Sequence, residues 1–204
     1  MALVLTAGCG PKRVTVQVPP RLDLGTYGRV GLVTFTVEKA KGTLHELATE
    51  RFSEEILAAQ PGIEVLELGP QDSLVRRVGE AQFGPAAAQA LGKARRVPAV
   101  FAGHLVVSDV KPSGGILGLR VPFVEATVSV ELTVRLLSTE SGGTIWRASA
   151  AASEKVGEVS LIGGEPFFSA KNPNDAYGEL VNHLVVSVTQ DLRPTWRRQE
   201  VRGP

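Results

Sequence analysis

His104, Ser108 and Asp109 are the best raw material in this chain for acid–base or nucleophilic chemistry, which needs a base within hydrogen-bond reach of the group it activates. All three fall on the extended stretch Val97 to Val110. A rise of about 3.3 Å per residue places Ser108 and Asp109 too far along it to meet His104 directly. Only partners from elsewhere could complete a site, and a structural histidine is the simpler reading. His45, His183 and the single cysteine, Cys9, stand far from one another and from His104. No Cys or His pair has ligand spacing, so no metal is expected, and one cysteine excludes an intrachain disulfide. Ser113 to Arg120 reads SGGILGLR but lacks both Gly-x-Gly-x-x-Gly and Gly-x-x-x-x-Gly-Lys, and it leads into a strand rather than a helix. No phosphate cradle and no cofactor follow from it. Glu46, Glu50, Glu54 and Glu55 read as the solvated face of a helix, and Arg193, Arg197, Arg198 and Arg202 as a solvated basic tail. On these grounds the chain is not expected to be an enzyme.

Chemistry of another kind is suggested at the start of the chain. Met1 to Cys9 reads MALVLTAGC, an apolar run closing on small residues and then the only cysteine. It resembles the end of a bacterial lipoprotein signal, in which the cysteine is acylated and becomes the mature N-terminus. Thr6 stands where that motif prefers Leu. The run is also shorter than the ~7 to 15 residues of a secretory apolar region and lacks a basic segment before it. A start codon upstream of Met1 would supply both. Gly10 rather than Asp after the cysteine suggests, by the same resemblance, lipid anchoring at the outer membrane on the periplasmic face.

The elements that would position any site are led by Val124 to Leu137. Val124, Ala126, Val128, Val130, Leu132, Val134 and Leu136 alternate with polar residues, a period of two that predicts a half-buried antiparallel strand. Thr139 to Gly143 can close a hairpin, because two glycines can take positive φ. Trp146, Ala148, Ala150 and Ala152 then hold one parity. Trp146 should lie near Leu136, and the alanines should leave a trough for a helix. Upstream, Arg29 to Val37 predicts a strand buried on both faces. Thr43 to Glu46 reads as a capping box opening a helix with its apolar stripe at Leu44, Leu47, Ala48, Phe52, Ile56 and Ala59. Ile63 to Leu68 completes a right-handed βαβ unit. A helix from about Pro85 to Ala94 and the strand Val97 to Val110 repeat the pattern. A last helix, capped at Asn174-Asp175, carries Tyr177, Leu180, Val181, Leu184, Val185, Val188 and Leu192 on one stripe until Pro194 ends it.

With 204 residues, 43% hydrophobic and 21% charged, the chain suits one domain with a real core. The expected class is α/β: a single domain with a mixed sheet of about five strands, βαβαβ then an antiparallel hairpin, and a C-terminal amphipathic helix. The expected divisions are 1–9 as signal remnant, 10–28 as an extended tether, 29–194 as the domain and 195–204 as the tail. A net charge of +1 gives no field for gripping nucleic acid. No run reaches the ~20 apolar residues of a membrane-spanning helix.

The order RVGLVTF, capped helix, short strand, AQALGKARRVPAVFAGHLV, then VSVELTVRLLSTESGGTIWRASA resembles a group of bacterial envelope domains. The group comprises the curli secretion channel lipoprotein, the lipoprotein activators of penicillin-binding proteins, and the N-terminal domain of the Tol translocation protein B. The shared marks fall at Val30 to Phe35, Leu91 to Gly103 and Val130 to Trp146. They are structural, and no catalytic residue carries over. The resemblance implies a periplasmic, lipid-tethered protein that binds an envelope partner, with a homo-oligomer left open. An oligomeric secretion channel is the first alternative, although no pair of segments matches the two membrane hairpins of the curli channel. A soluble cytosolic enzyme or nucleotide-binding protein is the second.

If the turn at Gly142-Gly143 marks one end of the hairpin, the segments Gly114 to Phe123 and Val159 to Phe168 lie at the other. Both read as loops, yet they carry Ile116, Leu117, Leu119, Leu161, Ile162, Phe167 and Phe168. Apolar loops gathered at one edge either cover a core or form a contact patch for a protein or lipid surface.

Overall fold

The computed structural model describes residues 12–39, 43–108, 111–117, 121–162, 165–170 and 173–201, with the backbone alone at 12, 111–117, 121–126, 156–162, 165–170, 173–177 and 201. After a first strand, β1 (Lys12–Val18), the apolar run becomes β2 (Arg29–Thr34), whose Val30, Leu32 and Val33 are all buried. A nearly continuous apolar run of this kind suits a strand covered on both faces. Phe35 interrupts it, and the chain resumes as β3 (Thr36–Glu38). Helix α1 (Leu44–Ala59) buries Leu44, Ala48, Phe52 and Ile56, which recur every fourth residue and so share one face. Thr43 is its N-cap residue by position, but its hydroxyl makes no capping bond, because φ −103° and ψ 21° lie outside the extended region that aims a cap side chain at the first turn.

Strand β4 (Glu64–Pro70) runs parallel to β2. It passes straight into α2 (Gln71–Val78), a short helix stopped by Gly79 at φ 77°. Helix α3 (Pro85–Arg95) starts on proline, whose missing N–H costs nothing in a first turn, and leads to β5 (Ala99–Val107), parallel to β2 and β3. Next come β6 (Lys111–Leu117), β7 (Val121–Ser138), β8 (Thr144–Ile162), β9 (Glu165–Ala170), helix α4 (Pro173–Val188), a 3₁₀ turn (Gln190–Leu192) and β10 (Thr195–Val201).

The α/β class is as expected, and the mixed sheet reaches eight strands. Its order is β4-β2-β5-β7-β8-β9, with β3 also beside β5 and β6 beside β7. The crossover from β2 to β4 moves one way along the sheet and that from β4 to β5 moves the other. A single crossover hand therefore puts α1 on one face and α2 and α3 on the other. On the first face α1 and α4 close the main core, with Leu180, Val181, Leu184, Val185 and Val188 of α4 over the alanines 148, 150 and 152 of β8, as the trough predicts. On the second face α2 and α3 cover β2 and β5 and, among the described residues of β7, pack on Leu137.

Two features tie the chain ends to this body. β1 and β10 pair antiparallel as a separate two-stranded sheet, from Lys12↔Val201 to Val18↔Thr195. Lys12–Val18 is thus extended, and the basic segment after 194 is a strand through Val201. Arg13 pairs with Glu200 at 3.2 Å across it. Beyond this ribbon, Leu22 and Leu24 enter the main core. There the buried Gln60 accepts from the Leu24 N–H at 2.6 Å and donates to the Leu22 carbonyl at 2.5 Å and the Leu192 carbonyl at 2.9 Å. One amide side chain therefore holds the entrance and the exit of the domain.

Trp146 sits opposite Leu136, as parity requires. It is half-buried rather than enclosed: its ring meets Phe101 edge-on at 5.9 Å and 86°, and Nε1 donates to Asp191 Oδ2 at 3.3 Å. Trp146→Ala should cost about 2 kcal/mol in urea unfolding, below the ~3 to 5 of a fully enclosed ring. A loss as small as that of a surface substitution would mean that the indole adds nothing to the core.

Candidate functional site

The segments 114–123 and 159–168, expected as loops, are strands wherever they are described. Ile116 and Leu117 lie in β6, Leu161 and Ile162 in β8, and Phe167 and Phe168 in β9. Leu119 and Cys9 lie outside the described residues. β6 folds back on β7 up to Leu117↔Val121, and β9 folds back on β8 from Ile162↔Glu165. β7 and β8 stay paired out to Phe123↔Ser160. The result is a four-stranded extension, β6-β7-β8-β9, in which Leu117↔Val121 and Ile162↔Glu165 fall at the same end. Its outer strands, β6 and β9, pair along the edges that long β7 and β8 offer.

The candidate catalytic residues do not assemble. Ser108 Oγ accepts from the Ser129 N–H at 3.0 Å. His104 Nδ1 is 2.8 Å from Thr36 Oγ1, and its Nε2 is 3.7 Å from Glu38 Oε2. Asp109 lies outside the described residues. The glycine-rich run is strand β6 through Leu117. Of the helix carboxylates, Glu54 pairs with Arg51 at 2.7 Å and Glu55 with Arg193. Buried inside the first turns of α1, His45 Nδ1 has no hydrogen-bond partner among the described residues.

A site that the sequence reading passed over lies on the second face, where the helix layer stops and β7 and β8 are bare. The pairing Ala102↔Arg135 and Arg135↔Arg147 forms one rung of the sheet, and His104↔Thr133 and Thr133↔Ser149 form the next on the same face. Thr133 and Ser149 hydroxyls meet at 2.9 Å. These rungs floor a cleft of ≈ 380 Å³ bounded by Thr36, Gln71 at the start of α2, and Gly103. Arg135 is half-buried, Arg147 exposed. Like charges placed directly opposite on paired strands repel. Among the described residues, neither guanidinium has an ion pair or hydrogen bond. The hairpin's parity carried the signal: if Leu136 faces Trp146, Arg135 must face Arg147.

No protein-family model and no curated protein matches the chain. Among solved structures, it is similar to a PelC dodecamer from Paraburkholderia phytofirmans, with 16% identity over 89% of this chain and 98% of that one at a TM-score of 0.46. It is similar to lipoprotein GNA1162 from Neisseria meningitidis, with 16% identity over 76% and 93% at 0.41. It is also similar to the LpoB C-terminal domain from Salmonella enterica, with 14% identity over 62% and 83% at 0.38. Likenesses at this level leave function to the chain's own residues.

Proposed function

We propose that the chain is a non-catalytic envelope module, acylated at Cys9 and held to the periplasmic face of the outer membrane, that docks on another envelope protein through the tips of its distal hairpins. The observation that carries this reading is the four-stranded extension. β7 continues nine residues past Val130, its last partner of β5, which is a reach of about 30 Å at 3.3 Å per residue. Its two tips bring the apolar Ile116-Leu117 and Leu161-Ile162 to one end. Apolar residues gathered at a projecting end serve contact better than catalysis. The Ala7-Gly8-Cys9-Gly10 sequence supports the anchor, and the scattered partners of His104 and Ser108 support a binding role.

Two variants test the reading. Cys9→Ala in the full-length gene should release the protein from membranes; undiminished retention would remove the anchor from the proposal. Leu117→Ser combined with Ile162→Asn should abolish co-purification with envelope proteins after mild crosslinking while leaving the melting temperature unchanged. A large drop in melting temperature would instead assign both residues to a core.

A further inference from the structure

We propose that Arg135 and Arg147 form a receptor for a phosphate-type dianion carried by a small solute. Arg135 and Arg147 are register partners on β7 and β8, and neither guanidinium is neutralised by a protein carboxylate among the described residues. A sheet that keeps such a pair bears its repulsion. A bound anion would reverse that, turning the repulsion into two charge-assisted contacts. A guanidinium presents its donors as a planar fork, and a tetrahedral phosphate has enough terminal oxygens to engage two forks at once, whereas one carboxylate fills a single fork. Around the pair, the polar Gln71, Thr36 and Thr133 line the wall and floor of the same cleft.

The surroundings limit the ligand's size. Beyond Thr133 on the same face of β7 comes Glu131, which is exposed, and beyond Thr36 comes Glu38, 3.7 Å from His104. A long polyanion such as nucleic acid lying along this face would run onto both carboxylates. The cleft's ≈ 380 Å³ lies within the ~300 to 1,000 Å³ of small-molecule sites. The proposal does not depend on the lipid anchor or on the hairpin tips.

Inorganic phosphate is the probe, titrated into the full chain at constant ionic strength and followed by calorimetry and by thermal melting. The wild type should bind one phosphate and melt at rising temperature as phosphate increases. Arg135→Gln or Arg147→Gln should weaken binding by roughly tenfold or more, as expected on removing a charge-assisted contact, and the double variant should lose it. Without phosphate, each single variant should melt at or above the wild-type temperature, because a like-charge pair has been removed. Destabilisation of the single variants would give the guanidiniums a structural task and overturn the proposal. So would phosphate binding that persists in the double variant, or a wild type indifferent to phosphate. Sedimentation with phosphatidylglycerol vesicles separates the two sources of phosphate: vesicle binding that needs both arginines, in a protein indifferent to free phosphate, would make the ligand a lipid headgroup and overturn the small-solute form.

Discussion

Replacing Gln60 by leucine is expected to lower the free energy of unfolding by about 4 kcal/mol, since buried backbone groups left without partners cost ~1 to 3 kcal/mol each. Three such groups are at stake: the N–H of Leu24 and the carbonyls of Leu22 and Leu192. Leucine is close to glutamine in size, so the loss would report hydrogen bonds rather than a cavity. Urea unfolding followed by tryptophan fluorescence measures the change. Hydrogen exchange should also show the Leu24 amide losing protection before the core strands do, because its acceptor is gone while theirs remain. A change below about 1 kcal/mol would mean that water replaces the amide without penalty.

The second large effect is expected at Gly103. A Cβ built there would lie 2.5 to 2.6 Å from three atoms of the Phe35 ring. That ring cannot retreat easily, because it packs at 5.2 Å against Phe52, which in turn packs at 5.2 Å against Phe101. Gly103→Ala should therefore cost about 3 kcal/mol, at the upper end for overpacking a filled core. In a Phe35→Leu background the same change should cost much less, and the difference is the signature of direct contact. Equal costs in the two backgrounds would mean that the strand, and not the ring, resists the new methyl.

Those two residues also show what was legible in the sequence. Phe35 and Gly103 belong to separate marks of the resemblance, an early strand and a later one, and the fold explains them together as a ring seated on a bare backbone. Period-two alternation was enough to place β7, to set Leu136 against Trp146 and to leave a trough of alanines for α4. Helix α2 was not legible, because its three periodic residues, Leu74, Val75 and Val78, span little more than one turn. β6 and β9 were not legible either: glycine, proline and adjacent aromatics break alternation, and their partners lie on the flanks of strands that form for other reasons. The role of Gln60 was not legible either, since its bonds reach residues 36, 38 and 132 positions away. The arginine pair was present in the hairpin's parity. What makes it a candidate site is that neither arginine has an ion pair among the described residues, and one strand's sequence does not contain that.

The ribbon of β1 and β10 gives the molecule a mechanical property. Lys12 and Val201 are register partners at its open end. Tension applied across them loads the inter-strand hydrogen bonds one pair after another, because those bonds lie perpendicular to the strands and along the pull. Such a ribbon peels at low force instead of shearing as a unit. Its two strands, 7 residues each, would pay out about 45 Å of slack at ~3.3 Å per residue before the load reached the Gln60 clamp. The ribbon is a length reserve in series with the domain, so a tug on the chain ends would be absorbed there first while the sheet and its cleft kept their shape.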